Sequence, residues 1–281
     1  MTYNKNVYFQ NKDEIFSNQV YPFFKNLNDD DDKNLNDIDK KYFREIKEYI
    51  EKNNTLPFSF NSQELLYLKK SKKEIWLDYF IFRYKFRKFP KEKIVSEFPI
   101  YVLIEPVSTC NIRCKMCFQI DKSFTRKPYM GIMDMEFFKK IVDDCKANGT
   151  RAITLASRGE PTLHPKLADM LTYLSGKFLE IKLNTNATKL NENLIRKILD
   201  TGVNEVVYSV DESEEKKYEE IRVGAKFKVV LENIKNFKKI RDSEYPNSKT
   251  STRISGVLVN KEQDVDKITN FWKQYVDHVV F

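Results

Sequence analysis

Long apolar runs are missing from this 281-residue chain. No stretch approaches the ~18 consecutive apolar residues that a membrane-spanning helix needs. The N-terminal MTYNKNVYFQNKDE has no apolar core of a secretory signal peptide. The expectation is therefore a soluble, cytoplasmic protein without a membrane partner. Only seven glycines and nine prolines exclude a collagen-like or linker-dominated chain. Only two histidines, His164 and His278, are available, so no imidazole base is assigned. Cysteine is scarce as well. Of four cysteines, Cys110, Cys114 and Cys117 fall within eight residues, and Cys145 stands apart. A disulfide scaffold would be shorter and would spread its cysteines to close loops. Clustered thiols in a chain without a signal peptide point to metal or redox chemistry instead.

What is present begins with size. With 41% apolar residues, the chain is long enough for one large domain, or one domain with a smaller companion. The net charge of +8 is concentrated: Lys69 to Lys93 hold ten basic and three acidic residues, or +7. Trp76, Tyr79, Phe80, Phe82, Tyr84, Phe86 and Phe89 are interleaved with these cations. Such a segment could meet nucleic acid or an acidic peptide. It reads equally as an amphipathic helix with a lysine-rich solvated face and a buried aromatic face.

Two regions differ in pattern. Residues 1–98 read as a helical N-terminal extension. Its Asn/Asp-rich NLNDDDDKNLNDID is a solvated loop or helix entry, followed by predicted helices over 37–53 and 62–88. Phe89-Pro90 is expected to stop the second. Residues 99–281 alternate regularly. Strands are predicted at 100–106, 151–157, 179–186, 204–211, 250–260 and 277–281. Helices are predicted at 134–149, 165–177, 192–202, 227–242 and 265–275. Six strands alternating with five helices imply a parallel α/β sheet with right-handed crossovers, open or closed into a barrel.

The polar oddities choose between these forms. The cysteines follow the first strand, Gly159-Glu160-Pro161 the second, and Asn184-Thr185-Asn186 closes the third. Ser209 and Asp211 close the fourth, and Asn260 the fifth. Every one sits at a carboxyl end, where a barrel gathers its active site on one face. The prediction is a partial (β/α)6 TIM-like barrel.

Cys110-x3-Cys114-x2-Cys117 places three thiolates on one short loop. They suit three irons of a [4Fe–4S] cluster, leaving the fourth iron open for another ligand. Zinc is the rival, and a closed structural site would need Cys145 or His164 as its fourth ligand. Read alone, Glu160 is a helix-entry residue before Pro161, and Arg222 is an exposed helix arginine. Asp211 serves a bound molecule or caps the next helix.

With these residues in place, the chain resembles the radical S-adenosylmethionine (radical SAM) superfamily, whose signature is this C-x3-C-x2-C loop after the first barrel strand. Gly159-Glu160-Pro161 is similar to that family's GEP-type segment. The stretch from Leu183 to Arg222 resembles the subgroup that often carries a C-terminal SPASM or twitch domain. That subgroup usually reads TNG where this chain has Thr185-Asn186-Ala187. The resemblance implies a [4Fe–4S] cluster on Cys110, Cys114 and Cys117, and S-adenosylmethionine held by Gly159, Glu160, Asn186, Ser209 and Arg222. It also implies reductive cleavage of that cofactor to a 5′-deoxyadenosyl radical, which abstracts a substrate hydrogen. The partners expected are a peptide, protein or small-metabolite substrate and an electron donor such as a flavodoxin or ferredoxin. RNA modification, or a shortened non-catalytic iron–sulfur or zinc protein, is the alternative. No auxiliary-cluster cysteines follow the sixth strand, so a minimal enzyme and a truncated one are both open.

Overall fold

The computed structural model describes the backbone of residues 7–9 and 14–281, and side chains from residue 19 onward. Its strands are β1 (Val7–Phe9), β2 (Tyr101–Ile104), β3 (Arg113–Cys114), β4 (Ala152–Leu155), β5 (Glu180–Thr185), β6 (Glu205–Ser209), β7 (Arg222–Val223), β8 (Ser251–Ser255) and β9 (His278–Val280). Its helices are α1 (Glu14–Lys25), α2 (Asp37–Asn53), α3 (Ser62–Lys70), α4 (Trp76–Glu92), α5 (Met135–Ala147), α6 (Leu167–Leu174), α7 (Glu192–Asp200), α8 (Glu215–Ile221), α9 (Phe227–Glu244) and α10 (Val265–Trp272). Two compact units result. One holds the helices up to Ile100, the other β1 with Tyr101–Phe281.

The second unit is the expected half-open barrel. Its sheet runs β1-β9-β8-β6-β5-β4-β2, and every pair is parallel except β1–β9. The six expected strands are all present. Alternation of side chains sorts the two faces. Ile181, Leu183, Val206, Tyr208, Ile254 and Val279 are buried, as are Val142, Leu171, Ile198, Phe237 and Trp272 on the helices. Tyr208 meets Phe237 of α9 edge-on, with centroids 6.1 Å apart, which fixes the outer face of β6. The other face of the strands is polar. Lys182 Nζ lies 3.5 Å from Glu180 and 3.4 Å from Glu205, whose other oxygen accepts from Arg253 Nε at 3.0 Å.

Three features depart from the sequence expectation. A seventh strand, β1, adds to β9 from within the stretch read as a helical extension. An additional helix, α8, and a two-stranded ribbon, β3–β7, occupy the segment between β6 and α9 and the cysteine loop. The strand predicted at 250–260 ends at Ser255, and the first begins at Tyr101 and leaves Leu103 47% exposed on the sheet edge.

In the helical unit, α2 matches its predicted span, though Ile38 faces solvent while Phe43, Ile46 and Ile50 are buried. Asn61 caps α3, as its Asn/Ser signal requires, with Glu64 closing the capping box. The single helix expected over 62–88 is instead two. Ser71 takes an extended backbone, and α4 restarts at Trp76. Pro90 does not stop α4, which continues to Glu92 and ends on Lys93 at φ +55°. A proline in the last turn removes one hydrogen bond without displacing the preceding carbonyls from a long helix. The aromatic face of α4 packs inward. Phe80 lies 4.1 Å from Phe24 between ring centroids, and the Trp76 indole donates to Leu68 O at 3.1 Å.

Four of the five cations of α4 are held by carboxylates of the same unit. Arg83 and Arg87 share the buried Glu64, and Lys88 pairs with Glu45 and Glu92. Lys85 is buried, 2.7 Å from Asp39 on α2. Removing one member of such a pair leaves an uncompensated charge out of water. Asp39→Ala is therefore expected to lower stability by ~3–5 kcal/mol. Combining it with Lys85→Met should recover most of that loss in urea denaturation. A loss no larger in the single than in the double variant would show that the pair does not hold the helices.

Candidate active site

Residues 107–118 have little regular structure, and their position comes from neighbours on both flanks. On one flank, Arg113 and Cys114 pair with Val223 and Arg222 in the ribbon, and Lys115 N donates to Ile221 O. The Arg222 guanidinium is buried. Its Nε donates to Asp211 Oδ2 at 2.7 Å and its Nη2 to Oδ1 at 3.0 Å. Its Nη1 lies 3.7 Å from Cys114 Sγ. Asp211, fully buried, also accepts from Val257 N. Asp211 does not cap the next helix, α8, which starts after Glu214; its carboxylate anchors Arg222. One end of the guanidinium, bearing Nη1 and the second N–H of Nη2, remains for another acceptor.

On the other flank, Glu160 N donates to Thr109 O at 2.9 Å. Gly159 lies so close to the cysteine loop that a Cβ there would stand 1.8 Å from Val107 O. Two residues earlier, Ser157 holds φ +105°, a conformation L-residues rarely adopt. The Glu160 carboxylate is buried and accepts from Thr162 N, Thr162 Oγ1, Thr185 Oγ1 and Asn186 N at 2.6–3.1 Å. It caps the short turn Pro161–Leu163, so the helix-entry reading of Glu160 is present in the fold. Burial raises its pKa, and the four donors work against that rise.

Asn186 extends the same chain of contacts. Its Nδ2 lies 3.7 Å from Cys110 Sγ and 3.0 Å from Asn111 Oδ1. Ala187 holds φ +60°, the left-handed conformation in which glycine carries no Cβ penalty. Two hydrogen bonds hold it there: its N–H donates to Thr185 Oγ1, and its carbonyl accepts from Asn233 Nδ2. Alanine thus adopts here the left-handed backbone that glycine would take more readily.

Sequence reasoning missed Gln119. Buried two residues after Cys117, it donates from Nε2 to Ser108 O at 2.9 Å and Arg158 O at 2.6 Å. Its Oε1 has no hydrogen-bond partner among the described residues. No spacing or composition signal marks a glutamine that bridges two loops. His164 and Cys145 stand elsewhere. His164 Nδ1 accepts from Lys166 N and its Nε2 donates to Met133 O, while Cys145 is buried in α5. Neither lines the pocket that the three thiols share.

That pocket has a volume of about 240 Å³. Cys110, Cys114, Cys117, Gly159, Glu160, Asn186, Ser209 and Arg222, the eight positions that the resemblance gives to cluster and cofactor, all line it, whereas Asp211 and Asn260 do not. Burial pushes the Cys110 and Cys114 thiols up, while Asn186 and Arg222 respectively draw them down. Three soft thiols on one loop, each approached by an N–H donor, suit an iron–sulfur cluster with one iron left open. The donor set fits.

A half-open parallel barrel with such a loop after its first parallel strand, β2, defines a cofactor-dependent iron–sulfur enzyme fold. Residues 104–271 match the Radical SAM superfamily, and the chain belongs to that family, whose enzymes use a [4Fe–4S] cluster and S-adenosylmethionine. Among its relatives is the tungsten-containing aldehyde ferredoxin oxidoreductase cofactor-modifying protein of Pyrococcus furiosus. It is 33% identical over 112 residues, covering 40% of this chain and 30% of that protein. A GTP 3′,8-cyclase of Bradyrhizobium diazoefficiens is 27% identical over 139 residues, covering 48% and 39%. Streptococcus suis SuiB shares the fold. Bound to S-adenosylmethionine it has a TM-score of 0.54 at 17% identity, covering 80% of this chain and 56% of SuiB. Bound to its precursor peptide SuiA the values are 0.53, 19%, 84% and 50%. The chain thus spans only 30–56% of the length of these proteins.

The contacts generate two expectations. Gly159→Ala forces the cysteine loop away from the turn after β4. It should cost ~1–3 kcal/mol and lower the iron bound per chain after anaerobic reconstitution; full iron loading would show that the loop tolerates the shift. Arg222→Ala leaves Asp211 buried without its cation and should cost ~3–5 kcal/mol. Adding Asp211→Asn should restore part of that in thermal unfolding, and no restoration would mean that the pair is not the cause.

Proposed function

We propose that the chain catalyses reductive cleavage of S-adenosylmethionine at a [4Fe–4S] cluster held by Cys110, Cys114 and Cys117. The carrying observation is that the three thiols share one pocket with Glu160, Asn186, Ser209 and Arg222. When bound, the cluster and cofactor together supply a 5′-deoxyadenosyl radical that abstracts a substrate hydrogen atom. The hard chemistry is theirs, and the protein's part is to bind, orient and exclude water.

In this reading Arg222 offers its remaining N–H edge to the methionyl carboxylate, since Asp211 already fixes the plane of the guanidinium. Glu160 acts by position. With its carboxylate engaged by four protein donors, it holds Thr185 and Asn186 against the cysteine loop. Asn186 and Arg222 aim N–H groups at two of the sulfurs, and such donors tune a cluster's potential. Gly159 allows close backbone approach, and Ser209 presents a hydroxyl at the end of β6. The substrate in this reading is a peptide or a small metabolite. The relatives support both classes, since one is named for GTP and SuiB is solved with a precursor peptide.

Anaerobic reconstitution with iron and sulfide, followed by S-adenosylmethionine and dithionite, tests the reading. The expected outcome is 5′-deoxyadenosine by mass spectrometry from the wild type and none from Cys114→Ala, which should also lose the cluster absorbance. Zinc in place of iron, or a loaded cluster that yields no product, would overturn it.

A further inference from the structure

The segment that follows the cysteines carries a surface that the pocket does not explain. Phe118, Ile120, Phe124 and Tyr129 are 41–58% exposed. The three aromatic residues form one patch: Phe118 meets Phe124 edge-on at 5.9 Å, and Phe124 meets Tyr129 at 5.8 Å. Exposed large apolar groups that touch one another mark an interaction site more often than scattered ones do.

The patch is set among cations. From Arg113 to Met133 the sequence holds Arg113, Lys115, Lys122, Arg126 and Lys127 against the single acid Asp121, a balance of +4. All five cations are exposed. Among the described residues, Lys115, Lys122, Arg126 and Lys127 form no ion pair, unlike Arg83, Lys85, Arg87 and Lys88 of α4. The patch starts at the residue after Cys117, whose Sγ accepts from Gln119 N at 3.4 Å within the same turn. An apolar, positively charged surface therefore abuts the thiol loop.

Resting on the proposed reductive cleavage, we propose that this surface docks an acidic one-electron donor protein. Each cleavage consumes one electron, which the donor loses in being oxidised by one electron and which ends in breaking the sulfonium C–S bond. The four cysteines of these 281 residues provide one clustered set only. Within this chain the electron therefore has to arrive across the surface nearest that set. Aromatic groups supply a small contact, and unneutralised cations steer an acidic partner to it. Weak redox encounters use such small interfaces, and their rates fall with ionic strength.

The test uses an acidic flavodoxin as probe, with binding measured by biolayer interferometry and 5′-deoxyadenosine formed with reduced flavodoxin or with dithionite. Wild-type protein should bind with a Kd that rises as salt is added. Lys122→Glu/Arg126→Glu/Lys127→Glu should weaken binding about tenfold or more and slow flavodoxin-driven product formation in parallel, while dithionite-driven formation stays unchanged. Phe124→Ser/Tyr129→Ser should weaken binding with its salt dependence retained. Wild-type affinity and flavodoxin-driven rate in both variants, with dithionite turnover normal, would overturn the surface alone. Absence of product from the wild type even with dithionite would overturn the proposed cleavage and the surface together.

Discussion

Holding an irregular thiol-bearing loop in place at a barrel mouth is the constraint around which this structure is organised, and the buried Asp211–Arg222 pair meets it most directly. Asp211 stands just past β6 and accepts from Val257, just past β8, so it joins the ends of two neighbouring strands. Through Arg222 it reaches β7, whose backbone is paired with Cys114. Buried ion pairs contribute little net stability compared with apolar packing, because removing both charges from water offsets their attraction. Position is what the pair provides. An apolar replacement could fill the space, but it could not fix the plane of a guanidinium beside a sulfur.

A second set of contacts, on the side of β4 and β5, complements the first. Gly159 permits van der Waals approach of two backbones, Glu160 gathers Thr162, Thr185 and Asn186, and Gln119 bridges Ser108 to Arg158. Cys110 is reached from this side by Asn186 and Cys114 from the other by Arg222. The loop is thus held between two independent clamps. Each clamp ends in an N–H group directed at a thiol, so the residues that fix the loop are also those nearest the sulfurs.

The legible part of the fold was the part set by chemistry and period. The C-x3-C-x2-C spacing, the alternation of strand and helix, and the polar residues at strand ends located both the barrel and the pocket. What could not be read depends on register between distant segments. No local pattern shows that Val7–Phe9 pairs with β9, or that Arg222 faces Cys114 across a two-residue ribbon. Glu160 and Asp211 were visible as acids in the right place, but Thr185 and Arg222, which their carboxylates hold, lie 25 and 11 residues away. Pro90 misled because its effect depends on how many turns remain after it. Ala187 kept a conformation its side chain disfavours because two hydrogen bonds from elsewhere hold the peptide.

Charge shows the same separation between density and use. The strongest concentration of cations in the sequence lies on and just before α4, where Lys85, Arg83, Arg87 and Lys88 are matched by Asp39, Glu64, Glu45 and Glu92. A cation already paired within its own fold projects little field, because its partner cancels it within a few ångströms. Residues 113–127 hold fewer cations, yet four of them form no ion pair among the described residues and lie within a short run of sequence that also carries exposed aromatic side chains. Recognition follows the unneutralised charge, and beside the thiols that charge is combined with exposed apolar surface.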